Sequence, residues 1–254
     1  MHVETAPAVI GRIAAAVRER PGGAIAFDAD GTLWSGDVGD DFFHSVLASG
    51  RVEAAARVAM RALAEVHGVR APEGGAKLGA ALFEAYREGR VPEDSFCEMV
   101  AYVCAGWTTG EVEVFAAEVV ARSRVSERTH AETARIVDWA RRERVEAFVV
   151  SASPFAVVVQ AARPLGFGVE NVLAVTPVLA DGRVAADVHR PIPYGEGKVT
   201  RLAERLGARP LYAAFGDNRF DIPLLRAAEI AVAVRPKRRL LERAAEVPGM
   251  VEMR

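Results

Sequence analysis

The strongest constraint on the fold is a rhythm. Short apolar runs, each too brief for a buried helix, recur between segments of helical periodicity. The runs are Ala24-Ile25-Ala26-Phe27, Ala147 to Val150, Val172 to Val175, Leu211 to Phe215 and Ile230 to Val234. Helical patterns occupy 129 to 143, 154 to 164, 197 to 206 and 220 to 228, and another at 5 to 19 stops before Pro21-Gly22-Gly23. A strand covered on both faces reads as a continuous apolar run, and strands separated by helices pair in parallel because the crossover needs a helix's length. The expected fold class is therefore α/β, with a Rossmann-like parallel sheet at its core. Val175 to Val188 departs from the rhythm: Asp181-Gly182 lies between two β-like stretches, which predicts a small antiparallel hairpin appended to the sheet.

Residues 41–125 also differ, being rich in Ala, Glu and Arg with helical spacing and loop breaks near Gly68 to Gly75 and Gly89 to Pro92. They are read as an α-helical cap inserted after the first strand, leaving a discontinuous core of residues 1–40 and 126–254. Basic residues number 32 against 34 acidic ones, so charge supplies no reason to expect a nucleic-acid or membrane partner. Glu4 and Arg12 interrupt the amino-terminal apolar stretch, and no uncharged run is long enough to cross a bilayer. Cys97 and Cys104 lie too far apart along one helix for a disulfide and are read as buried packing in a reducing compartment. These features predict a cytoplasmic protein. The five histidines show no ligand spacing, which argues against zinc.

In an open parallel sheet, ligands bind beyond the carboxyl ends of the strands. The candidates are then Asp28, Asp30 and Thr32 after the first run, Ser151 and Ser153 after the second, and Asp217, Asn218 and Asp221 after the fourth, with Lys198 opening the preceding helix. Asp and Gly are ordinary turn residues, which alone would explain Asp28 to Thr32. Several carboxylates meeting in one place, however, repel one another unless a cation lies between them or one keeps a proton. Asp28 and Asp217 suit Mg²⁺, a hard ion that takes carboxylate oxygens. Only Lys77, Lys198 and Lys237 among the basic residues are lysines, so an ammonium at 198 points to a place where a guanidinium fork does not fit. A solvated lysine there is also disfavoured by the helix macrodipole.

Several positions carry two readings. Ser151, with Ser153 and Pro154, also reads as a helix cap. Trp34 and Asp37 read either as a receptor for a cationic head group or, with Asp40 or Asp41 capping the next helix, as hinge packing. Arg57, Arg61, Lys77 and Arg87 in the insert are all placed to reach a substrate carboxylate, and none stands out. Arg235 to Arg239 reads as a solvated helix start.

FDADGT at 27–32, VVSASP at 149–154, Lys198 in GEGK and FGDNRFD at 215–221 resemble, in order and spacing, the four motifs of the haloacid dehalogenase superfamily. The helical insert and the hairpin before Lys198 look most similar to its phosphoserine phosphatase branch. That resemblance implies a Mg²⁺-dependent phosphatase acting on a small phosphomonoester through a phosphoaspartyl intermediate. It makes Asp28 the nucleophile and Asp30 the general acid, then base. The metal falls to Asp28, the main-chain carbonyl of Asp30 and Asp217; the phosphate to Thr32, Ser151 and Lys198; and support from behind to Asn218 and Asp221. Ser151-Ala152-Ser153 stands where that branch has Ser-Gly-Gly, Arg219-Phe220-Asp221 where it has Gly-Asn-Asp, and Asp37 where it has Glu. These departures leave the substrate open among phosphoserine-, phosphocholine- and phosphoethanolamine-like esters. A phosphotransferase or mutase, or a silent binding protein on the same scaffold, are the competing readings.

Overall fold

The computed structural model describes residues 2–254. Its strands are β1 (His2–Glu4), β2 (Ala24–Phe27), β3 (Glu146–Pro154), β4 (Val172–Val175), β5 (Pro177–Ala180), β6 (Arg183–Val188), β7 (Leu211–Gly216), β8 (Ile230–Val234) and β9 (Val251–Met253). Seven of them form one parallel sheet in the order β1-β9-β8-β7-β2-β3-β4. The chain runs outward from β2 in one direction through β3 and β4, then returns to β7 on its other side, so β2 sits where the strand order reverses. That is the point at which an α/β sheet offers a crevice to a ligand.

Every residue of β2 is buried. Ile25 and Phe27 enter one apolar cluster, with Val9 and Ile13 of helix α1 (Ala6–Glu19); Ala24 and Ala26 enter another, with Leu202 and Leu206 of α9 (Glu196–Leu206). Side chains alternate across a strand, so a run that is apolar throughout has to be covered twice. Helices α7 (Ala131–Glu143) and α8 (Phe155–Ala162) join the first face; the short α10 (Ile222–Ala227) and α11 (Arg238–Leu241) join the second.

Between β2 and β3 lie five helices, α2 (Val38–Ser49), α3 (Ala54–Val66), α4 (Gly75–Arg87), α5 (Glu93–Tyr102) and α6 (Thr109–Arg122). Their buried side chains, Phe42, Met60, Leu82, Phe96 and Trp107 among them, belong to the same cluster as Phe27 of the sheet. The insert therefore shares an apolar core with the sheet instead of building a separate one.

The hairpin departs from expectation. Asp181 (φ 50°) and Gly182 (φ 73°) both adopt the positive φ that a two-residue Asp-Gly turn requires, and β5 and β6 do pair antiparallel. They form a separate two-stranded sheet, however, and not an extension of the large one. The hairpin is seated on the insert: Gly106 N donates to Val184 O (2.8 Å), Val184 N donates to Trp107 O (2.9 Å), and Arg190 makes two bonds to Glu98 (2.9 and 2.6 Å). Among the described residues, no helix is long and apolar enough to cross a membrane.

Candidate active site

Register brings the first group of residues together. Phe27 is level with Val149 on β3 and Phe215 on β7, so the residues that follow leave the sheet at one height. The rings of Phe27 and Phe215 stack at 4.4 Å, and Asp28 N donates to Phe215 O (2.8 Å). Asp28 is thereby held at the strand end, 7% exposed. Its Oδ1 accepts a 2.5 Å bond from Lys198 Nζ and its Oδ2 a 3.2 Å bond from Thr32 Oγ1. Lys198, 3% exposed, also donates to Asp221 Oδ1 (2.6 Å). The other oxygen of Asp221 accepts from the amides of Asp217 (3.0 Å) and Asn218 (2.9 Å), which folds the loop after β7 around the lysine. Gly31 (φ +90°) makes room for this meeting, since a Cβ there would lie 2.2 Å from Asp217 Oδ2.

Asp30 faces another way. Its Oδ1 accepts from Trp34 Nε1 (2.8 Å) and Val38 N (2.8 Å), and its Oδ2 from Ser153 Oγ (2.6 Å). Burial, and then the neighbouring Asp37, push its carboxyl up to about 7 against the opposing pull of these bonds. Near neutrality the group therefore holds a proton in part of the population. Burial and Asp221 likewise push Asp28 up to about 7 despite Lys198. Burial and Asp28 do the same for Asp217, again to about 7. Burial acts to lower the Lys198 pKa, but Asp221 and Asp28 outweigh it and raise the group above its ordinary value.

One carboxylate oxygen from each of Asp28, Asp217 and Asp221 lies within 4.8 Å of the others. Three hard oxygen donors brought this close fit a divalent ion such as Mg²⁺. The expected ligand set was Asp28, Asp217 and the main-chain carbonyl of Asp30, which stays on offer, with Asp221 behind them. Here the Asp221 carboxylate joins the cluster, while the Asp30 side chain is engaged elsewhere and has only its main-chain oxygen to offer.

Above this floor is a chamber of about 110 Å³ whose far wall carries Tyr86, Glu93, Phe96 and Cys97, with Tyr194 and Phe220 at the side. Positions 93, 96, 97 and 100 recur at helical spacing, so one face of α5 forms the roof. Tyr86 stacks on Phe96 at 4.3 Å, and Tyr194 meets Phe220 at 4.5 Å. Asp37 lines the chamber and also caps α2, accepting from Asp40 N (3.0 Å), so the helix cap is Asp37 and neither Asp40 nor Asp41. Burial and Asp40 push Asp37 up to about 6. Burial and Glu93 hold the Cys97 thiol protonated, well above its usual value.

Other sequence expectations need correction. Of the two readings of Trp34, its complete burial fits packing and not a receptor for a head group, and its indole N–H donates to Asp30 Oδ1. Ser151 does not cap α8, which starts at Phe155 without a side-chain cap; its Oγ accepts from Ser153 N (3.1 Å). Thr32 and Ser151 are both buried behind the chamber lining. Asn218 reaches the lining, with its Oδ1 accepting from Arg219 N (2.7 Å). Lys237 stands at an exposed helix start, as expected, but also places Nζ 2.7 Å from Asp217 Oδ2 and its amide on Asp217 O (2.8 Å). The scarcity of lysine was the signal for it, since two of the chain's three lysines meet here. Tyr86, Glu93, Tyr194 and Phe220 carry no motif that marks them.

The profile of the haloacid dehalogenase-like hydrolases matches residues 25–226. No curated protein matches the sequence. Among solved structures, a protein of unknown function from Bordetella pertussis Tohama I is 20% identical, with a TM-score of 0.71 over 91% of this chain and 97% of that one. A substrate-bound phosphoserine phosphatase is 15% identical, with a TM-score of 0.53 over 90% and 92% of the two chains. Cytosolic 5'-nucleotidase IIIB bound to cytidine is 12% identical, with a TM-score of 0.57 over 96% and 84%. At these identities the likeness is one of fold. With the profile spanning the whole array of strand ends described above, the chain belongs to the haloacid dehalogenase-like hydrolases.

Proposed function

We propose that the protein is a Mg²⁺-dependent phosphatase that hydrolyses a small phosphomonoester through a phosphoaspartyl intermediate. The observation that carries the reading is the division of labour between two aspartates: Asp28 is pinned by Lys198 and Thr32, while Asp30 is turned aside onto Trp34, Val38 and Ser153. An oxygen of Asp28 attacks phosphorus in line, and the ester P–O bond breaks as Asp30 passes its proton to the departing alkoxide. Asp30, now a carboxylate, takes a proton from a water whose oxygen attacks phosphorus; the P–O bond to Asp28 breaks, releasing phosphate and the free carboxylate. Lys198 binds and orients the phosphoryl oxygens from the chamber lining, Thr32 and Ser151 support the site from behind that lining, and Asp221 and Asn218 hold Lys198 and the loop in place. Mg²⁺ held by Asp28, Asp217, Asp221 and the Asp30 carbonyl would supply the positive charge that lets a phosphate dianion approach a carboxylate. The helices at 41–125 act as the cap over residues 1–40 and 126–254, keeping water out while Asp28 attacks. Release of phosphate from a generic aryl phosphate in the presence of Mg²⁺, lost in Asp28→Asn, tests this function; turnover by the variant would refute the nucleophile.

A further inference from the structure

The chamber opens beside a second, larger cleft of about 490 Å³ that shares Tyr86 and Glu93 with it. Three guanidinium groups converge on this cleft from separate parts of the chain: Arg87 at the end of α4, Arg219 in the loop after β7, and Arg239 in α11. Glu93 is the single acid of its lining, so three cations face one carboxylate. Arg219 is the best fixed of them. Its guanidinium lies 4.4 Å from the centroid of the Phe220 ring, and its amide is held by Asn218. Its Nε is buried without a hydrogen-bond partner. A buried guanidinium N–H left unpaired is costly, and an incoming anion relieves that cost. Arg87 has only Glu84 nearby, at 3.7 Å and exposed, a pairing of little strength.

The inner chamber has the opposite character. Asp37, Asp40 and Glu93 stand along its walls, so the floor, where Lys198 and Lys237 lie, is the part of its lining suited to a phosphate. A second anion on the substrate has no welcome there, but meets weakly paired guanidinium groups immediately outside.

We propose that the cleft is an anion subsite for the distal end of the substrate, which carries a carboxylate or second phosphate taken by Arg219 and Arg239, with Arg87 across the opening. The inference rests on the phosphatase reading and names the substrate class of that site: phosphomonoesters bearing a second anionic group. Glu93, which feels Arg219 and Arg239 through space, competes with the incoming anion for their charge.

The test compares two aryl esters of one shape, 4-carboxyphenyl phosphate and 4-carbamoylphenyl phosphate, through the ratio of their kcat/KM values. Comparing that ratio between wild type and variants cancels the difference in leaving group. Arg219→Gln lowers the ratio about tenfold and Arg239→Gln about fivefold, as expected for loss of a charge-assisted bond and of a more exposed one. Glu93→Gln raises it. 1,4-Phenylene bisphosphate replaces the carboxylate ester to show which anion the cleft prefers. Ratios that neither arginine variant moves, or an equal loss on both esters, overturn the subsite in favour of simple steering. Preference for 4-(aminomethyl)phenyl phosphate, lost in Glu93→Gln, overturns it in favour of a cation receptor. The same ratio, read as Kd by calorimetry on Asp28→Asn, judges the subsite without turnover. A wild type that hydrolyses none of the esters while Asp28→Asn still discriminates between them therefore removes the phosphatase reading and keeps the subsite.

Discussion

The floor of the chamber takes its groups from the ends of neighbouring parallel strands and the start of α9, whereas the roof takes them from one face of α5 and the end of α4. On the floor, Asp28, Lys198, Asp221 and Asp217 are joined by charged hydrogen bonds of 2.5 to 3.0 Å, and each residue is 7% exposed or less. In the roof, Glu93 meets cationic neighbours only through space, and Tyr86 and Phe96 are held by ring stacking. Bonded, preorganised groups act on the transition state, while loosely held walls act on what is admitted. On the proposed function, the contrast gives chemistry to the floor and choice of substrate to the roof.

The harshest way to break that contrast is Asp28→Asn, expected to cut turnover at least ~10⁴-fold on every ester, as loss of a nucleophile does. Because Asp28 is crowded by other carboxylates, its thermal midpoint should not fall, which a melting curve checks. Removal of divalent metal with a chelator should abolish phosphate release, with full return on adding Mg²⁺. Asp217→Asn should keep most of that loss, ~10²-fold or more, even at high Mg²⁺. Trp34→Phe keeps the ring but deletes the bond to Asp30 Oδ1. A fall in kcat of ~10-fold is expected, within the range a general acid supplies. Since that bond favours the ionised carboxyl, the alkaline limb of the kcat profile should move to higher pH. Tyr86→Leu should chiefly raise KM, by ~5-fold, and in unequal measure for different esters. A kcat loss as large as that of Trp34→Phe would erase the distinction between floor and roof.

The smallest effect concerns the insert's own stability. Thr108 and Glu111 form a reciprocal cap on α6, away from the chamber. The Thr108 amide and hydroxyl draw the Glu111 carboxyl down to about 2. A depressed carboxyl stabilises the folded state above its unfolded value of about 4.3, and that contribution fades as pH falls toward the folded one. Thr108→Ala should therefore lower the melting temperature by a few degrees at neutral pH, with a gap to wild type that narrows below about pH 4. Its kcat and KM should stay at wild-type values.

How much of this was legible in sequence differs from element to element. β2, β3, β4, β7 and β8 announce themselves as apolar runs because they are covered on both faces. β1 and β9 escaped notice: each is three residues long, and β1 finds its partner only at the far end of the chain, a pairing that no local period records. The Asp181-Gly182 turn was readable from its two residues, but the hairpin's seat against Gly106 and Trp107 was not, because tertiary packing decides it. Within the site, Asp28, Asp217 and Lys198 stood out by strand-end position and by the rarity of lysine, whereas Lys237 lay in a basic stretch that masked it.

By itself, the sequence determined the sheet class, the helical character of the insert and the positions where polar groups leave buried strands. Periodicity, turn chemistry and two-sided burial act over a few neighbouring residues, so they are written locally. Only the tertiary structure decided that Trp34 bonds Asp30, that Asp221 joins the same carboxylate cluster as Asp28, and that Arg87, Arg219 and Arg239 face one cleft. Those outcomes depend on how segments distant in the chain pack together, and the direction of a side chain is settled by that packing and not by its neighbours in sequence.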